Sequence, residues 1–483
     1  MKLRELLQGQ DVIKTTVDMD MPITAVAYDS RKVTPGSLFV AITGFVTDGN
    51  FYIPMALEKG ASVVVTAVEP EEDIPYVLVP SDRFALAKIG ENFYGHPASS
   101  MALIGVTGTN GKTTATLLLK HVLEVTKGAK VGLIGTMDNQ IGDQSIPTDR
   151  TTPESLDLQA LLAKMRDAGC TYVIMEVSSH AIALERVGGI RFAVGAFTNL
   201  TEDHLDFHKT MEHYCDTKAE LFARCEKAVA NCDDPWFERM CAKAKCEVLT
   251  TSIGSDGDIC ARNLQLLSDG ICFTAVTKED TVEVKLPIPG KFTVYNALTV
   301  LACSVQLGIS LQAASSALAT AKGVKGRVEV VPTPGKPYTV LIDYAHTPDG
   351  LENVLSSVRD FCQGRLIGVF GCGGDRDPIK RPIMGKIGTD IADWSIITSD
   401  NPRTEVPMAI IEDILKGIDP EKNNYEVIEN RVAAIHHAMD IAQKHDIIVL
   451  AGKGHETYQE IQGVKHHLDE REVVASYLEE TRN

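Results

Sequence analysis

The sequence lacks long apolar runs and paired cysteines. Across its 483 residues, no apolar stretch reaches the length that crosses a bilayer. The N-terminal segment, residues 1–8, is charged and has no apolar centre, so we expect no targeting signal. The 11 cysteines are odd in number, scattered and without a C-x-x-C pair, which favours reduced thiols over disulfides or zinc ligands. These absences predict a cytoplasmic protein with no membrane partner.

Positive charge is also scarce. The formal net charge is −18, and no basic cluster is evident. Because nucleic-acid binding needs cations to neutralise phosphates, we expect no nucleic-acid partner. Any anionic substrate must instead be held by a few locally placed Arg, Lys and N–H groups. With 44% hydrophobic and 23% charged residues the composition is that of a globular protein. Its length suggests about three domains.

The strict Walker pattern is missing as well, because Val106 stands where its first glycine should be. A compact form, T-G-T-N-G-K-T-T at 107–114, follows an apolar run and precedes the helix-like segment 115–125. Loop N–H groups and a helix N-terminus together favour a bound anion. Lys112 can reach the β/γ oxygens, and the Thr113 hydroxyl suits Mg²⁺. We predict a nucleotide-triphosphate site; the alternative is a Gly-rich turn with an exposed lysine.

Two further strands carry polar groups at their ends. The run 172–177 is that of a buried strand with Glu176 near its carboxyl edge, where parallel sheets bind ligands. A buried carboxylate is costly unless it is paired, so a metal or a donor is implied. Before this strand, Thr152 and Pro153 resemble a helix start, with Thr152 as the cap. A second strand, 193–197, also leads into a polar loop.

That loop, residues 198–208, contains several oxygen ligands and His204. A carboxylate, an imidazole and phosphates make a reasonable Mg²⁺ environment. Zinc is the competing interpretation, but no cysteine completes such a site. Lys218 follows on the helix candidate 211–223. From the residues alone it is an ordinary solvated helix lysine.

In the last third of the chain, one predicted strand is followed by a glycine-rich turn, and another is followed by a proline and an arginine. The run 366–370 enters the Gly-rich turn 371–377, which is either a second phosphate cradle or a tight corner. In 396–403, Arg403 comes just past a strand end and directly follows Pro402. Its planar guanidinium can bind a carboxylate through two parallel bonds. An ordinary turn arginine is the alternative.

Five motifs then occur in one order: 107–114, 176–180, 199–206, 343–346 and 399–403. Together they resemble the Mur ligase superfamily over essentially the whole chain. The resemblance implies an α/β fold of three domains. A UDP-sugar-binding α/β domain (1–97) would precede a central ATP-binding P-loop domain with a parallel sheet (98–330). A Rossmann-like, amino-acid-binding domain (331–483) would follow.

The implied function is ATP-dependent amide ligation in peptidoglycan precursor synthesis. The enzyme would add meso-diaminopimelate to the D-Glu carboxylate of UDP-N-acetylmuramoyl-L-Ala-D-Glu through an acyl phosphate, forming ADP and phosphate. ATP and Mg²⁺ are the implied cofactors, and a monomer is expected. Alternatives are a lysine-adding ligase of the same family and a folylpolyglutamate-type ligase, which should lack the UDP-binding domain. A P-loop switch that binds partners without ligation is the alternative from another class.

The resemblance also assigns residues. It makes Lys112, Glu176, His204 and Lys218 catalytic, with Mg²⁺ on Thr113, Glu176 and His204 and with Lys218 carbamylated to N6-carboxylysine. The implied ATP contacts are Gly108, Thr109, Asn110, Gly111, Lys112, Thr113, Thr114, Asn296, Arg327 and Asp343. The implied UDP-sugar-dipeptide contacts are Tyr28, Ser30, Phe45, Val46, Thr47, Thr151, Thr152, Ser178 and Arg186. The implied diaminopimelate contacts are Arg376, Asp400, Asn401, Pro402, Arg403, Gly452 and Glu456.

Near the implied UDP-sugar-dipeptide contacts, two positions depart from the family pattern: Leu184 stands where some members have Gln, and Arg150 where some have Asn. Arg403 bears on the choice of amino acid. Diaminopimelate carries a distal carboxylate that this arginine can bind, whereas lysine carries none. Leaving a buried guanidinium unpaired costs roughly 2–5 kcal/mol, so the residues favour diaminopimelate over lysine.

Overall fold

The computed structural model describes residues 1–44, 47–148, 150–267 and 269–481. It divides into two compact units. The first comprises Met1–Ile259 and Thr299–Ser310, and the second comprises Cys260–Leu298 and Leu311–Asn483.

The first unit begins with a sheet whose strands lie in the order β1-β5-β4-β3-β2. Strands β2 to β5 are parallel, and β1 pairs antiparallel with β5. Valine-rich strands pack against a helix that begins after Ser81, whose hydroxyl accepts from the N–H of Phe84. The elements are β1 Lys14–Thr15, β2 Ala25–Ala27, β3 Ser37–Val40, β4 Ala61–Thr66, β5 Tyr76–Leu78, α1 Leu3–Leu6, α2 Ile53–Glu58 and α3 Asp82–Phe93, with 3₁₀ turns Ser30–Lys32, Gly49–Tyr52 and Pro97–Ser100.

A second sheet in this unit has the order β13-β12-β11-β6-β10-β7-β8-β9. It is parallel from β13 to β7, and β8 and β9 add an antiparallel edge. Its strands are β6 Ala102–Thr107, β7 Val131–Ile134, β8 Asn139–Ile141, β9 Gln144–Ile146, β10 Tyr172–Glu176, β11 Phe192–Phe197, β12 Cys225–Asn231 and β13 Val248–Ser252. Its helices are α4 Lys112–Lys127, α5 Ser155–Asp167, α6 Ser179–Ala183, α7 Leu205–His208, α8 Met211–Ala219 and α9 Phe237–Cys241, with a 3₁₀ turn Phe222–Arg224.

Strand register places three polar loops together. Strand β6 lies between β10 and β11, with Glu176 opposite Val106 and Phe197 opposite Thr107. The segments that follow these three parallel strands therefore leave the same edge of the sheet. The predicted P-loop, strand-end acid and histidine loop thus share one edge, the usual ligand edge of a parallel sheet.

The second unit contains an antiparallel meander of strands β14, β15 and β16. It also contains a six-stranded sheet with the strand order β17-β18-β22-β19-β20-β21, which is parallel except for the antiparallel edge strand β17. Apolar clusters lie on both faces of the latter sheet, as in a Rossmann-like fold. The strands are β14 Ile259–Leu267, β15 Gly270–Val276, β16 Thr281–Leu286, β17 Glu329–Val331, β18 Thr339–Asp343, β19 Leu366–Phe370, β20 Trp394–Ile397, β21 Tyr425–Val427, β22 Ile447–Ala451, β23 Tyr458–Ile461 and β24 Val464–His467. The helices are α10 Lys291–Gln306, of which residues 299–306 belong to the first unit, α11 Leu311–Leu318, α12 Pro348–Arg359, α13 Lys380–Ile391, α14 Pro407–Leu415, α15 Arg431–Ile441 and α16 Glu470–Glu480.

The predicted start of α5 is wrong. Helix α5 begins at Ser155, and Glu154 is its N-cap, accepting from the N–H of Ser155. The Thr152 hydroxyl instead donates to the carbonyl oxygen of Glu176 at 2.7 Å. The Thr152 hydroxyl is thus used in a tertiary hydrogen bond to the end of β10 and does not cap the helix.

A buried ion pair gives a prediction for the second unit. Arg431 and Glu470 are almost completely buried, with 2.7 Å between Nη2 and Oε1, and Arg431 also donates to the Ala451 carbonyl oxygen. Replacing Arg431→Met leaves a buried carboxylate uncompensated and should lower the free energy of unfolding by about 3–5 kcal/mol. Urea denaturation followed by circular dichroism measures the loss. The double variant Arg431→Met/Glu470→Leu should recover most of it, and a double variant as unstable as the single one would contradict this explanation.

Candidate active site

Two lysines bond to the carbonyl oxygens of the P-loop. Lys112 is the first residue of α4, and its ammonium donates to the carbonyl oxygens of Gly108 at 2.9 Å and Thr109 at 2.7 Å. Lys218 donates to the same Gly108 oxygen at 2.9 Å. Gly108 has φ +147°, and a Cβ there would lie 2.0 Å from the Thr198 hydroxyl. Only glycine fits this position, which explains the first glycine of the compact motif.

The loop is also tied to the segment after β11. The N–H of Thr109 donates to the Asn199 carbonyl oxygen at 2.8 Å, and the N–H of Asn110 donates to Oδ1 of Asn199 at 2.9 Å. The Thr198 hydroxyl donates to the Asn110 carbonyl oxygen at 2.7 Å. These bonds hold the loop in one shape, so it is preformed for an anion.

Glu176 contacts the P-loop directly. Thr113 Oγ1 donates to Oε1 at 2.9 Å, and Thr136 donates to Oε1 through its N–H and to Oε2 through its hydroxyl, each at 3.0 Å. A buried carboxylate at a strand end was expected to need hydrogen-bond donors, and Thr113 and Thr136 are the donors to Glu176. A hydroxyl and a carboxylate in contact beside a triphosphate loop are hard oxygen ligands, which fit Mg²⁺.

His204 lies further into solvent than Glu176. It is the N-cap of α7, with φ +54°, and its ring centroid is 4.9 Å from that of His180. Burial lowers the pKa of His204, which favours the neutral imidazole. Within the ranges that the structure describes, no group of three or more His, Cys, Asp or Glu side chains is placed to hold a metal. The donor set therefore does not match a structural zinc site, whereas Mg²⁺ commonly keeps waters and phosphate oxygens as ligands.

Lys218 is buried, so its interpretation as a solvated helix lysine is wrong. Its side chain is 1% exposed, and its ammonium lies 4.6 Å from the centroid of the Tyr214 ring. Burial, and secondly the nearby Lys112, hold its pKa well below the ordinary value. The lowered pKa favours the neutral amine, the form that can act as a nucleophile.

His208 was missed by sequence reasoning. It is 1% exposed, and its Nε2 lies 2.8 Å from the hydroxyl of Ser179 in α6. Its ring contacts the rings of His180 and Tyr214, with centroids 5.6 and 4.9 Å away. Burial lowers its pKa to about 4. The signal in the sequence was the four-residue spacing from His204 together with the Ser-Ser-His run at 178–180.

A cavity of about 690 Å³ lies elsewhere in the first unit. Of the predicted UDP-sugar-dipeptide contacts, Tyr28, Ser30, Thr47 and Arg186 line it, as do the two departing positions, Arg150 and Leu184. The predicted contacts Phe45 and Val46 lie outside the described residues.

Three arginines in this cavity surround one carboxylate. Arg83, Arg150 and Arg186 approach Oε2 of the buried Glu154 at 3.7, 3.7 and 3.4 Å. The wall thus carries two positive charges in excess, in a protein whose net charge is −18. Arg83, which no motif singled out, also donates to the Thr43 carbonyl oxygen at 2.7 Å, and its buried Nη1 has no hydrogen-bond partner among the described residues. Such a wall suits a dianionic ligand.

The remaining predicted substrate contacts connect this cavity to Glu176. Arg186 donates to the Thr152 carbonyl oxygen at 3.3 Å, and the Thr151 and Thr136 hydroxyls are 3.0 Å apart. Ser178 caps α6 by accepting from the N–H of Ala181 at 3.2 Å. A ligand anchored at the arginines could therefore extend toward the P-loop edge.

In the second unit, Asp343 and Arg327 lie near each other. Asp343 is buried and accepts from the N–H groups of Val328 and Ala345, both at 2.8 Å. Burial raises the pKa of Asp343, and Arg327 opposes the rise. The Arg327 guanidinium stacks 5.3 Å from the Tyr344 ring centroid. Asn296 is buried on α10. Their predicted role in ATP binding stays a prediction.

The predicted diaminopimelate contacts surround the loop after β20. Arg403 has φ +53°, and its Nη1 donates to the Gly374 carbonyl oxygen at 2.6 Å. Its backbone N–H donates to the Glu460 carbonyl oxygen at 3.0 Å, which fixes the loop on the β23–β24 hairpin. The N–H of Gly374 in turn donates to the Asn401 carbonyl oxygen at 2.9 Å, so the Gly-rich turn packs as a corner on this loop.

The remaining members of this group differ in exposure. Asp400, Asn401 and Pro402 are buried, whereas Arg376 is exposed. Gly452 has φ +116°, a backbone conformation that is strained for any other residue, and a Cβ there would lie 2.6 Å from Oδ2 of Asp400 and force that carboxylate to move. Oε2 of Glu456 accepts from Asn401 at 2.9 Å and from Lys453 at 3.1 Å. The structure thus brings Asn401, Gly452 and Glu456 to one place and adds Lys453, which sequence reasoning did not select.

No described helix has the length and apolar character needed to cross a membrane. The P-loop at the edge of a parallel sheet and the cationic cavity in the same unit define a nucleotide-dependent enzyme for anionic substrates.

Comparison with known proteins agrees with that class. Family models match at residues 22–94 (Mur ligase family, catalytic domain), 106–304 (Mur ligase middle domain) and 326–454 (Mur ligase, glutamate ligase domain). The chain belongs to the Mur ligase family.

It is 47% identical over 487 residues to the UDP-N-acetylmuramoyl-L-alanyl-D-glutamate–2,6-diaminopimelate ligase of Clostridioides difficile (strain 630), covering 99% of each chain. A solved structure of a ligase with the same name aligns with TM-score 0.75 and 32% identity, covering 100% of this chain and 99% of that one. The MurF ligase of Thermotoga maritima in complex with ADP aligns with TM-score 0.60 and 19% identity over 95% of this chain and 97% of that chain, which shows the fold alone.

The low pKa of His208 predicts a pH effect on stability. Because the folded-state pKa is about 4 and the ordinary value is 6.5, the unfolded chain binds the proton first. Stability should therefore fall as pH drops from 6.5 toward 4. Between pH 7.5 and 4.5 the free energy of unfolding should fall by about 2 kcal/mol less in His208→Gln than in wild type, as measured by denaturant unfolding at each pH. The exposed His466→Gln is the control. Parallel losses in wild type and His208→Gln would rule the explanation out.

Proposed function

We propose that this chain adds meso-diaminopimelate to the D-Glu carboxylate of UDP-N-acetylmuramoyl-L-Ala-D-Glu, consuming ATP and releasing ADP and phosphate. The observation that carries the proposal is the full-length similarity to a ligase of that name at 47% identity. The reaction belongs to peptidoglycan precursor synthesis, and we place it in the cytoplasm, where ATP is available.

The reaction requires one carboxylate to meet the end phosphate of ATP. The arginine-lined cavity binds the anionic part of the UDP-sugar-dipeptide, with Arg186 reaching toward Thr152. Lys112 leaves its loop carbonyl acceptors and binds the β/γ oxygens. Phosphoryl transfer to the D-Glu carboxylate forms an acyl phosphate, and the amine of diaminopimelate attacks the acyl carbon and displaces phosphate. Positive groups at the P-loop offset the negative charge that accumulates in these steps.

Thr113 and Glu176, with His204 nearby, are the residues that would hold Mg²⁺. When bound, the ion supplies positive charge to the phosphate oxygens. The proposal divides the chain into domains 1–97, 98–330 and 331–483, acting as a monomer. The three family matches at 22–94, 106–304 and 326–454 support that division.

Lys218 is proposed to be carbamylated. Carbamate formation needs a neutral amine to attack CO₂, and burial supplies that form by lowering the pKa of Lys218. The product would be a carboxylate beside the carbonyl oxygen of Gly108, at the phosphate end of the P-loop. There it would support a metal ion, as the family resemblance implies.

Removing the Lys218 side chain tests this role. Lys218→Ala should lower kcat on the order of 100- to 1,000-fold, as expected when a group that stabilises the transition state is lost. Added acetate or formate should restore part of the activity by supplying a carboxylate. The exposed Lys227→Ala is the matched control. Full activity of Lys218→Ala, or no response to any small carboxylate, would contradict the carbamate role.

Arg403 is proposed to bind the distal carboxylate of diaminopimelate. Its side chain is 22% exposed, and Gly374 and Glu460 hold its position. A guanidinium fixed in this way can form two parallel bonds to a carboxylate. The lysine-adding reaction leaves this charge without a ligand anion and is therefore disfavoured.

A competition experiment tests both the activity and the specificity. Wild-type protein with ATP, Mg²⁺ and the UDP-dipeptide should release phosphate only when diaminopimelate is added, and it should favour diaminopimelate over lysine by at least about thirtyfold in kcat/KM. Arg403→Ala should lose most of this preference, whereas Arg359→Ala should keep it. Turnover with lysine but not diaminopimelate would refute the specificity.

The same assay distinguishes this ligase from a folylpolyglutamate-type ligase and from a regulatory P-loop switch. A folylpolyglutamate-type ligase would not need the UDP-dipeptide, although the arginine-lined cavity and the family match at 22–94 favour a chain that binds it. A regulatory switch would bind ATP without forming an amide. Phosphate release that depends on both the UDP-dipeptide and an amino acid excludes both.

A further inference from the structure

Lys453 is a completely buried lysine that the proposed reaction does not yet use. It lies just after β22, and its ammonium donates to Oδ1 of Asn401 at 2.7 Å and to Oε2 of Glu456 at 3.1 Å. Oδ1 of Asp400 is 3.6 Å from the same ammonium. A lysine side chain is rarely buried unless it is paired, so these three acceptors account for its position.

These contacts belong to one hydrogen-bonded network. Asn401 Nδ2 donates to Oε2 of Glu456 at 2.9 Å, and the N–H of Glu460 donates to Oδ1 of Asn401 at 2.9 Å. Oε2 of Glu456 therefore receives two donors, Lys453 and Asn401, which fix the plane of the carboxylate. Lys453 thus contacts three of the residues proposed to bind diaminopimelate.

The charges in this set do not cancel. Lys453 contributes one positive charge, and Asp400 and Glu456 contribute two negative charges, so the group carries one negative charge in excess. The side chains of Asp400 and Glu456 are 6% and 14% exposed, and an excess charge so largely removed from water is costly unless a ligand compensates for it. Diaminopimelate has an ammonium at its distal end, whose single positive charge would balance this excess negative charge.

We propose that Lys453 is a positioning residue for recognition of the distal ammonium of the amino-acid substrate. It orients Glu456 and reduces the charge of the carboxylate pair to the single negative charge that one ammonium balances. This inference rests on the proposed function, because it needs diaminopimelate to be the substrate.

Lys453→Met keeps the length of the side chain and removes its charge. The KM for diaminopimelate should rise about 10- to 100-fold, the loss expected for hydrogen bonds to a charged group. The KM values for ATP and the UDP-dipeptide should stay within about twofold of wild type, since neither ligand uses these contacts. The KM for 2-aminopimelate, which keeps the distal carboxylate but lacks the distal ammonium, should change less than about threefold.

Lys465→Met is the matched control. Lys453 and Lys465 both lie near the Tyr458 ring, at 5.3 and 4.2 Å from its centroid, but Lys465 is exposed. This variant should behave as wild type. If Lys453→Met does not fold, as judged by its thermal melt, Lys453→Gln keeps a donor without the charge and should shift the KM for diaminopimelate in the same direction.

A double-mutant comparison shows whether Lys453 acts through Glu456. Lys453→Met/Glu456→Gln should bind diaminopimelate no more weakly than Glu456→Gln alone. An equal rise in KM for diaminopimelate and 2-aminopimelate, or multiplicative effects of the two substitutions, would overturn the inference. So would an unchanged KM for diaminopimelate in Lys453→Met while wild type turns it over. Failure of wild type itself to use diaminopimelate would instead count against the proposed function.

Discussion

One carbonyl oxygen, that of Gly108, accepts hydrogen bonds from two lysine side chains. Lys112 reaches it from the first turn of α4, and Lys218 reaches it from α8. Both amine groups and the N-terminus of a 16-residue helix are thereby directed at one short loop. A triphosphate offers these groups oxygens of much greater charge than the loop carbonyls. The rest of the first unit supports this concentration of hydrogen-bond donors at the sheet edge.

The acidic composition makes that concentration necessary. With a net charge of −18, long-range electrostatics repel anionic substrates, so local groups must bind them. The first unit meets this requirement twice, with Lys112 and the N-terminus of α4 at the P-loop and with three arginines around Glu154. In the second unit the balance is reversed. There two carboxylates surround the single ammonium of Lys453, which suits an amino-acid substrate with an ammonium group.

The sequence predicted which segments lie at the ligand-binding edge of the sheet, because each polar loop directly follows its apolar strand along the chain. The apolar runs ending at Thr107, Glu176 and Phe197 are strands, and parallel pairing brings their ends together. The order of the motifs led to the family, and the family resemblance implied the fold class; both are confirmed.

Features that depend on tertiary contacts could not be predicted from the sequence. The Thr152 hydroxyl bonds to β10 rather than capping α5, and Lys218 is buried, which spacing on one helix could not reveal. Arg83 belongs to no motif, and Lys453 was not selected although it lies between the predicted contacts Gly452 and Glu456. Both become informative only when distant segments meet: Arg83 beside Glu154, and Lys453 beside Asn401.

The central claim is that ATP activates a substrate carboxylate as an acyl phosphate. The most direct measurement uses UDP-dipeptide with both oxygens of the reacting D-Glu carboxylate labelled with ¹⁸O, followed by mass spectrometry of the inorganic phosphate. The account predicts that each phosphate released during ligation carries one ¹⁸O atom, with the second label retained in the new amide. Phosphate free of label, in a reaction that still forms the amide, would contradict it.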